Sequence, residues 1–491
     1  MNKIIFIFLS LSLFFHHQAQ AQESTITVEG YVFLDKDQNN KFDKKKRGLK
    51  NIPVSDGEKI VYTDAKGYYK IQTHPQHSLF PILPSGYALS SGLANNLNNK
   101  LFLYLDSTAS QRKLINHNIG LLKQDQNDNF TIGAIGDIQV ADTEEVNYAG
   151  KSIFKELNSR TDIDFYLMLG DLVNDDLKLF EPMKSIMEHL PAPSWTVIGN
   201  HDRNPEGSLP AQATFNQIMG ASHYAFNYAQ VHFIVLNNVF STGLRSYEGR
   251  LTDMQLQFLE NDLALLPENT PIVISQHIPM YQTRNKADIL KKLTRFNNVL
   301  ILSGHTHQVS RHFYNNGKVH EIVTGAPSGT WWRGTVDSQG IPIALMQCGS
   351  PRNYFTINFT GNSNTIQYKA IGLDSKEQID ITVSADTIFA NVYAGSDSTQ
   401  VMVQLNDGEW IPMYQSRRPA ESVLKTIKHN NILRNQGVKE GINPLRKRNS
   451  PHIWQLVLSP IKLTNAVNNI RIIARDNYGL LVEDNIVIYQ N

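Results

Sequence analysis

One cysteine in 491 residues, Cys348, excludes any internal disulfide, so stability must come from buried cores and any bound metal. Charge of one sign is also lacking: 46 Lys and Arg stand against 45 Asp and Glu, a net charge of +1. An overall field that small does not recruit nucleic acid, and no dense basic and aromatic groove is visible, which argues against a nuclease. Long apolar runs are missing except at the start, "MNKIIFIFLSLSLFFHHQAQAQ", where Lys3 precedes an apolar run from Ile4 to Phe15 and then Ala19-Gln20-Ala21. The run is short of the roughly 20 residues that span a bilayer. It reads as a signal peptide over residues 1–21, which predicts an exported protein, periplasmic or at the cell surface, without a transmembrane segment after cleavage. No cysteine follows the run to take a lipid.

What is present divides into three. Residues 22–122 alternate apolar and polar positions in Thr27 to Phe33 and Lys59 to Thr63, broken by Asp-Gly and Lys-Gly turns. Period two at this spacing predicts a small antiparallel β-sandwich. Its loop Asp35, Asp37, Asn39, Asp43 has the oxygen-ligand spacing of a calcium loop, but Asn40 replaces the central glycine and Lys46 the twelfth-position carboxylate. Calcium binding there is expected to be weakened, with a solvated polar turn as the alternative.

Residues 129–322 alternate strands and helices. Strands are predicted at Thr131 to Asp137, Phe165 to Gly170, Trp195 to Gly199, Ile272 to Ser275 and Val299 to Ser303, with helices at Glu144 to Leu157, Leu179 to His189, Asp253 to Leu265 and Lys286 to Thr294. "HYAFNYAQVHFIVLNN" predicts a hairpin. The pattern defines an α/β domain. Residues 323–491 return to short strands and turns, a mainly β domain holding one basic, strand-poor insertion, Arg417 to Asn449, expected to be a solvated loop.

Five segments of the middle domain place Asp, Asn or His at the end of an apolar strand: Asp137 in "GDIQ", Asp171 in "LGDLVND", Asn200 and His201 in "GNHD", His277 in "SQHIP", and His305 with His307 in "SGHTH". Ligands collect at strand carboxyl ends in an open α/β sheet, so these clusters should converge. Carboxylate, amide and imidazole donors without thiolates suit Mn, Fe, Zn, Co or Mg rather than a structural zinc. Six or more ligands exceed what one metal takes while keeping water positions, so two divalent ions are expected.

Together "GD", "GNHD" and "GHTH" resemble the calcineurin-like metallophosphoesterases, over roughly Thr131 to His307. "SGTWWRG" and "GSPRNYFTINF" resemble the C-terminal β domain of a bacterial exported subfamily that also carries the N-terminal sandwich. The resemblance implies a multidomain protein with a central α/β metallophosphoesterase fold, two packed β-sheets flanked by helices. It implies that Asp171 bridges two metals, that Asp137, Gln139 and His307 complete one, and that Asn200, His277 and His305 complete the other. It also implies that His201 faces the phosphoryl or leaving oxygen while Asp202 holds its other ring nitrogen, and that a water or hydroxide between the metals attacks a phosphomonoester or phosphodiester. Gln139 departs from the family's Asp-x-His: an amide oxygen matches Mn, Mg or Ca better than Zn or Fe.

The substrate is left open among glycan-, lipid- and nucleotide-linked phosphoesters and phosphoprotein, as is the oligomeric state. A surface binding protein on a decayed phosphoesterase scaffold is the alternative function. His223, His232, His312 and His320 read as ordinary core or surface histidines, and Asp175 as a ligand-supporting residue or a helix cap. Trp331, Trp332, Arg352, Asn353 and Tyr354 are divided between substrate wall and core.

Overall fold

The computed structural model describes residues 25–90, 97–205, 207, 209–458 and 466–489. The predicted signal peptide, residues 1–21, lies outside the described residues.

The short apolar segments FYLM, IVIS and VLILS are buried along their whole lengths, as strands covered on both faces must be. They build two sheets. One runs in the order Ser194–Thr196, Phe165–Met168, Asn129–Ile135, Asn353–Thr360, Ser363–Ala370, with its first three strands parallel. The other runs Tyr224–Tyr228, Val231–Val235, Ile272–Ser275, Val299–Ser303, Val319–Thr324, Val309–Tyr314, parallel through its four middle strands. Aromatic rings lock the inner faces together: Trp195 stacks on Phe226 with centroids 3.9 Å apart, and Phe226 on Phe233 at 4.9 Å. Helices Phe180–Glu188, Asp253–Leu263 and Lys286–Lys292 fall where the apolar periodicity placed them. The first predicted helix is interrupted. Thr143–Ala149, capped by Asp142, widens into a π segment Gly150–Phe154 before Lys155–Asn158.

Residues 353–370, read from the sequence within the third domain, form the hairpin that completes the first central sheet. Their alternating pattern suits any antiparallel sheet, so periodicity alone does not say which one they join.

The N-terminal domain is a sandwich of a sheet around Ile26–Leu34 and a second of Ile60–Tyr62, Pro53–Ser55, Ser78–Pro81 and Leu103–Tyr104. It packs on the second central sheet through Phe80, edge-on to Tyr224 and Phe258. Lys46, expected from the sequence to weaken calcium binding, sits among the oxygens of this loop. The Lys46 ammonium lies 2.5 Å from Asp37 Oδ1 and 2.6 Å from Asn39 Oδ1 and also bonds Asp35. Asp43 instead accepts from the Lys45 backbone N–H at 2.6 Å. Burial alone would raise the Asp35 carboxyl, but bonds from Lys46, Ser90 and the Asn40 backbone bring it down to about 2. A cation built into the chain thus holds the oxygens that a calcium ion would have gathered.

The C-terminal domain pairs two four-stranded sheets, Ile379–Ser384 with Thr387–Val392, Ile453–Val457 and Tyr414–Gln415, and Trp410–Pro412 with Gln400–Leu405, Val467–Arg475 and Leu481–Tyr489. The basic insertion is not a flexible loop throughout. Glu421–Asn435 is a helix that buries Val423 and Asn430, and its low apolar content is what concealed it. Arg311, on an edge strand of the second central sheet, forms a buried ion pair with Asp476 at 2.7 Å and bonds the carbonyls of Ala394 and Tyr478. This fastens the C-terminal domain to the centre. Among the described residues no helix is long and apolar enough to cross a membrane.

Candidate metal centre

The strand ends of both central sheets meet at one place. Asp137, Gln139, Asp171, Asn200, His277 and His307 are all buried there, and His305 is half-buried. Ligand atoms of Asp171, His277 and His305 lie within 4.8 Å of one another. His277 Nε2 is 3.1 Å from Asn200 Oδ1 and 3.2 Å from Asp171 Oδ2. His307 Nε2 is 3.6 Å from Asp137 Oδ1. The two groups are joined through the backbone: the His305 N–H donates to Asp137 at 2.8 Å, the Gln139 N–H to the Asp171 carbonyl at 2.7 Å, and the His201 N–H to Asp171 Oδ1 at 2.8 Å.

Carbonyl oxygens aim the imidazoles. His277 Nδ1 donates to the Leu169 carbonyl at 2.9 Å and His307 Nδ1 to that of Gly329, which leaves each Nε2 for the centre. Gly329 comes from the loop after the second sheet, too far along the chain for motif spacing to reveal. Close packing also explains the glycines of "LGD" and "GNHD". A Cβ on Gly199 would stand 2.1 Å from Asp171 Oδ1, and one on Gly170 (φ +91°) 2.6 Å from His277 Nδ1.

Backbone strain concentrates at the same point. Gln139, Asp171, Asp175, His305 and His307 hold φ of 45°, 49°, 69°, 72° and 50°. Such non-glycine conformations cost about 1–3 kcal/mol each and persist where function has overruled local preference.

The electrostatics are those of a cation site. Burial disfavours charge on His277, but the Asp171 carboxylate and Asp137 outweigh it and raise the imidazole to about 9. Burial would likewise raise Asp171, yet His277 and His201 hold it below the usual carboxylate range, while burial keeps Asp137 raised. His305, desolvated and beside His277, is lowered to about 3 and stays a neutral donor. One further atom fits a metal. Gln139 Nε2 donates to Asn174 Oδ1 at 3.4 Å, but Oε1 is buried with no hydrogen-bond partner. Amide oxygen, carboxylate and imidazole are together the donor types a hard or borderline divalent ion takes.

The expected support for His201 is corrected. Asp202 does not touch the imidazole. It is fully buried and accepts from the backbone N–H groups of Gly199 at 2.9 Å and Val173 at 3.1 Å, with burial and Asp171 raising it to about 7. The partner of His201 Nδ1 is Asp175 Oδ1, at 2.9 Å. Asp175 is therefore not a helix cap; Asp176 caps the following turn. Sequence adjacency favoured Asp202, whereas the left-handed backbone at Asp175 is what turns that carboxylate to the imidazole.

Trp331 and Trp332 separate. Trp332 is core, its Nε1 donating to the Ile138 carbonyl at 2.9 Å, while Trp331, 40% exposed, lies against the His307 ring at 4.9 Å. Arg352 bonds Ser152 and the Pro327 carbonyl, Asn353 the Thr324 carbonyl, and Tyr354 Glu156, all away from the centre. His232 is held by Asp262 and Asn227, His223 by the Gly57 carbonyl, His320 by Arg311 and His312 by Ser310; none joins the site. Beside the centre opens a cleft of about 290 Å³, walled by His201, Arg203, Arg245 and Tyr247, whose two arginines belong to no motif in the sequence.

Two sheets closing strand ends around carboxylates and imidazoles define a metal-dependent phosphoesterase fold. Residues 130–309 match the family profile described as calcineurin-like phosphoesterase, residues 36–119 the N terminal and residues 321–480 the C terminal of calcineurin-like phosphoesterase. The chain belongs to the calcineurin-like phosphoesterases, a family that binds divalent metals and hydrolyses phosphoesters. Among its relatives, a 3′,5′-cyclic-nucleotide phosphodiesterase of Nostoc sp. is 26% identical over 218 residues, 40% of this chain and 78% of that protein. A probable cyclic nucleotide phosphodiesterase of Rhodopseudomonas palustris is 27% identical over 129 residues, 25% of this chain and 44% of that protein. The solved structure described as GAP50, the anchor in the inner membrane complex of Plasmodium, shares 15% identity across 51% of this chain and 85% of its own, with a TM-score of 0.33.

Proposed function

We propose that this chain is an exported phosphodiesterase or phosphomonoesterase that works with two divalent cations, one held by Asp137, Gln139 and His307, the other by Asn200, His277 and His305, with Asp171 between them. The observation that carries the reading is the pairing of the Asp171, His277 and His305 cluster with the partnerless, buried Gln139 oxygen. The metal pair, when bound, supplies polarisation of the phosphoryl group and activation of a water. The chain's own residues do the rest. The Leu169 and Gly329 carbonyls fix the tautomers of His277 and His307. Asp175 fixes the ring of His201, so that Nε2 is free in the cleft to protonate the leaving oxygen. Export rests on the charged, apolar and small-residue pattern of residues 1–21.

The relatives' names bring a 3′,5′-cyclic nucleotide into the substrate set. The test is hydrolysis of an aryl phosphomonoester, an aryl phosphodiester and a cyclic nucleotide by the purified chain with Mn, Fe, Zn, Co or Mg. Metal-dependent turnover that His201→Ala removes is expected. Turnover no greater than that of His201→Ala under every metal would defeat the proposal.

A further inference from the structure

The cleft beside His201 carries more positive charge than the chain itself uses. Arg203 follows "GNHD" directly; its Nε donates to the Asn200 carbonyl at 3.1 Å and its guanidinium lies 5.2 Å from the centre of the Tyr247 ring. Tyr247 in turn packs edge-on to His305 at 5.9 Å. The guanidinium is thus braced against Asn200 directly and against His305 through Tyr247, yet it has no carboxylate partner among the described residues. Arg245 sits at the tip of the hairpin formed by Val239–Gly243 and Ser246–Gly249, in the left-handed conformation (φ 57°). Its side chain lines the same cleft and forms no ion pair or hydrogen bond among the described residues. Asp175, the one carboxylate lining the cleft among the described residues, is engaged by His201.

Exposed arginines commonly go without partners. Here, however, one is half-buried and tethered, both share one wall of a cavity, and that wall adjoins the residue assigned to the leaving oxygen. In hydrolysis the water oxygen bonds to phosphorus, the bond from phosphorus to the leaving oxygen breaks with its electron pair, and that oxygen takes the proton from His201. With His201 in that role, the departing group would lie in the cleft that His201 shares with Arg203 and Arg245. Paired guanidinium groups present planar donor forks that match phosphate and carboxylate oxygens.

From this geometry we infer that Arg203 and Arg245 bind a second anionic group, carried by the leaving part of the substrate. The preferred substrate is then a phosphoester or phosphoanhydride whose leaving group is itself a phosphate or phosphate ester. The inference rests on the reading of His201 given above.

Matched substrates test it: fructose 1,6-bisphosphate against fructose 6-phosphate, and a nucleoside diphosphate hexose against the 4-nitrophenyl ester of the same nucleoside monophosphate. Arg245→Gln, a change at an exposed residue that should fold, is expected to lower kcat/KM roughly ten- to a hundredfold for the doubly anionic member and about twofold or less for the other. Arg203→Lys should lose part of the same preference, since it keeps the charge but not the fork. Equal losses on both members would assign the arginines to the scissile phosphoryl group and overturn the inference, as would no loss on either. Binding separates failure of the inference from failure of the catalytic reading. In the full chain as purified, the ratio of inorganic pyrophosphate to phosphate affinity, measured by calorimetry, should fall about tenfold or more in Arg245→Gln. An unchanged ratio would overturn the inference whether or not any substrate is turned over.

Discussion

Gln139 stands at the position where the family resemblance implies a histidine ligand. Its Oε1 is buried and unpartnered while its backbone is held at φ 45°, so the chain supports an energetically costly placement of a neutral oxygen donor. Gln139→Leu is expected to cost the protein about one of two metal equivalents by elemental analysis, and Gln139→His to shift preference toward Zn or Fe. Unchanged metal content and selectivity in both would remove Gln139 from the ligand set. The two acids near His201 also divide by what they touch. Asp175→Asn removes the charge beside the imidazole and should lower kcat about tenfold at unchanged metal content. Asp202→Ala strips the acceptor from two buried N–H groups and should lower stability by about 3 kcal/mol in denaturant unfolding.

At the scale of single elements, the loop from Asp35 to Lys46 is a calcium-type turn with its own cation. Lys46→Ala leaves the Asp35 and Asp37 carboxylates facing each other, so the N-terminal domain should melt at a lower temperature, and added calcium should restore it in the variant but not in the parent. A calcium response in the parent would show that Lys46 leaves the loop. In the C-terminal domain His452 is fully buried, hydrogen-bonded to Asn391 Oδ1 at 2.6 Å, and burial lowers it to about 4. The unfolded chain, with an ordinary histidine near 6.5, binds that proton first. His452 therefore contributes stability that is complete above pH 6.5 and is lost as pH falls toward 4. Between those limits the loss is about 1.4 kcal/mol per pH unit for one proton, and His452→Gln should flatten the acid limb of a melting-temperature profile by that amount.

For the whole molecule, the third segment of the chain is not an appendage. Strand Asn129–Ile135, which delivers Asp137 to the centre, pairs on one side with Phe165–Met168 and on the other with Asn353–Thr360. Ending the chain at residue 322 removes that second partner, exposes Phe130 and Ile132 along a bare edge, and takes away the Gly329 carbonyl that aims His307. Such a truncation is expected to aggregate, whereas the full chain gives a discrete species by size exclusion; a soluble, metal-binding truncation would contradict this role for the hairpin.

The sequence by itself determined five strands, one hairpin and four helices of the centre in their order, and picked out Asp137, Asp171, Asn200, His277, His305 and His307 as residues that would meet at one place. Each sits at the end of an apolar run, and a parallel strand can deliver its terminal polar residue to only one edge of the sheet. Only the tertiary structure decided that Asp175 and not Asp202 holds His201, that Lys46 fills the calcium-type loop, that residues 353–370 join the central sheet, and that Arg203 and Arg245 share a cleft with His201. Side-chain direction after a left-handed residue, and contacts between segments tens or hundreds of residues apart, depend on how the sheets close. No local period or spacing encodes them.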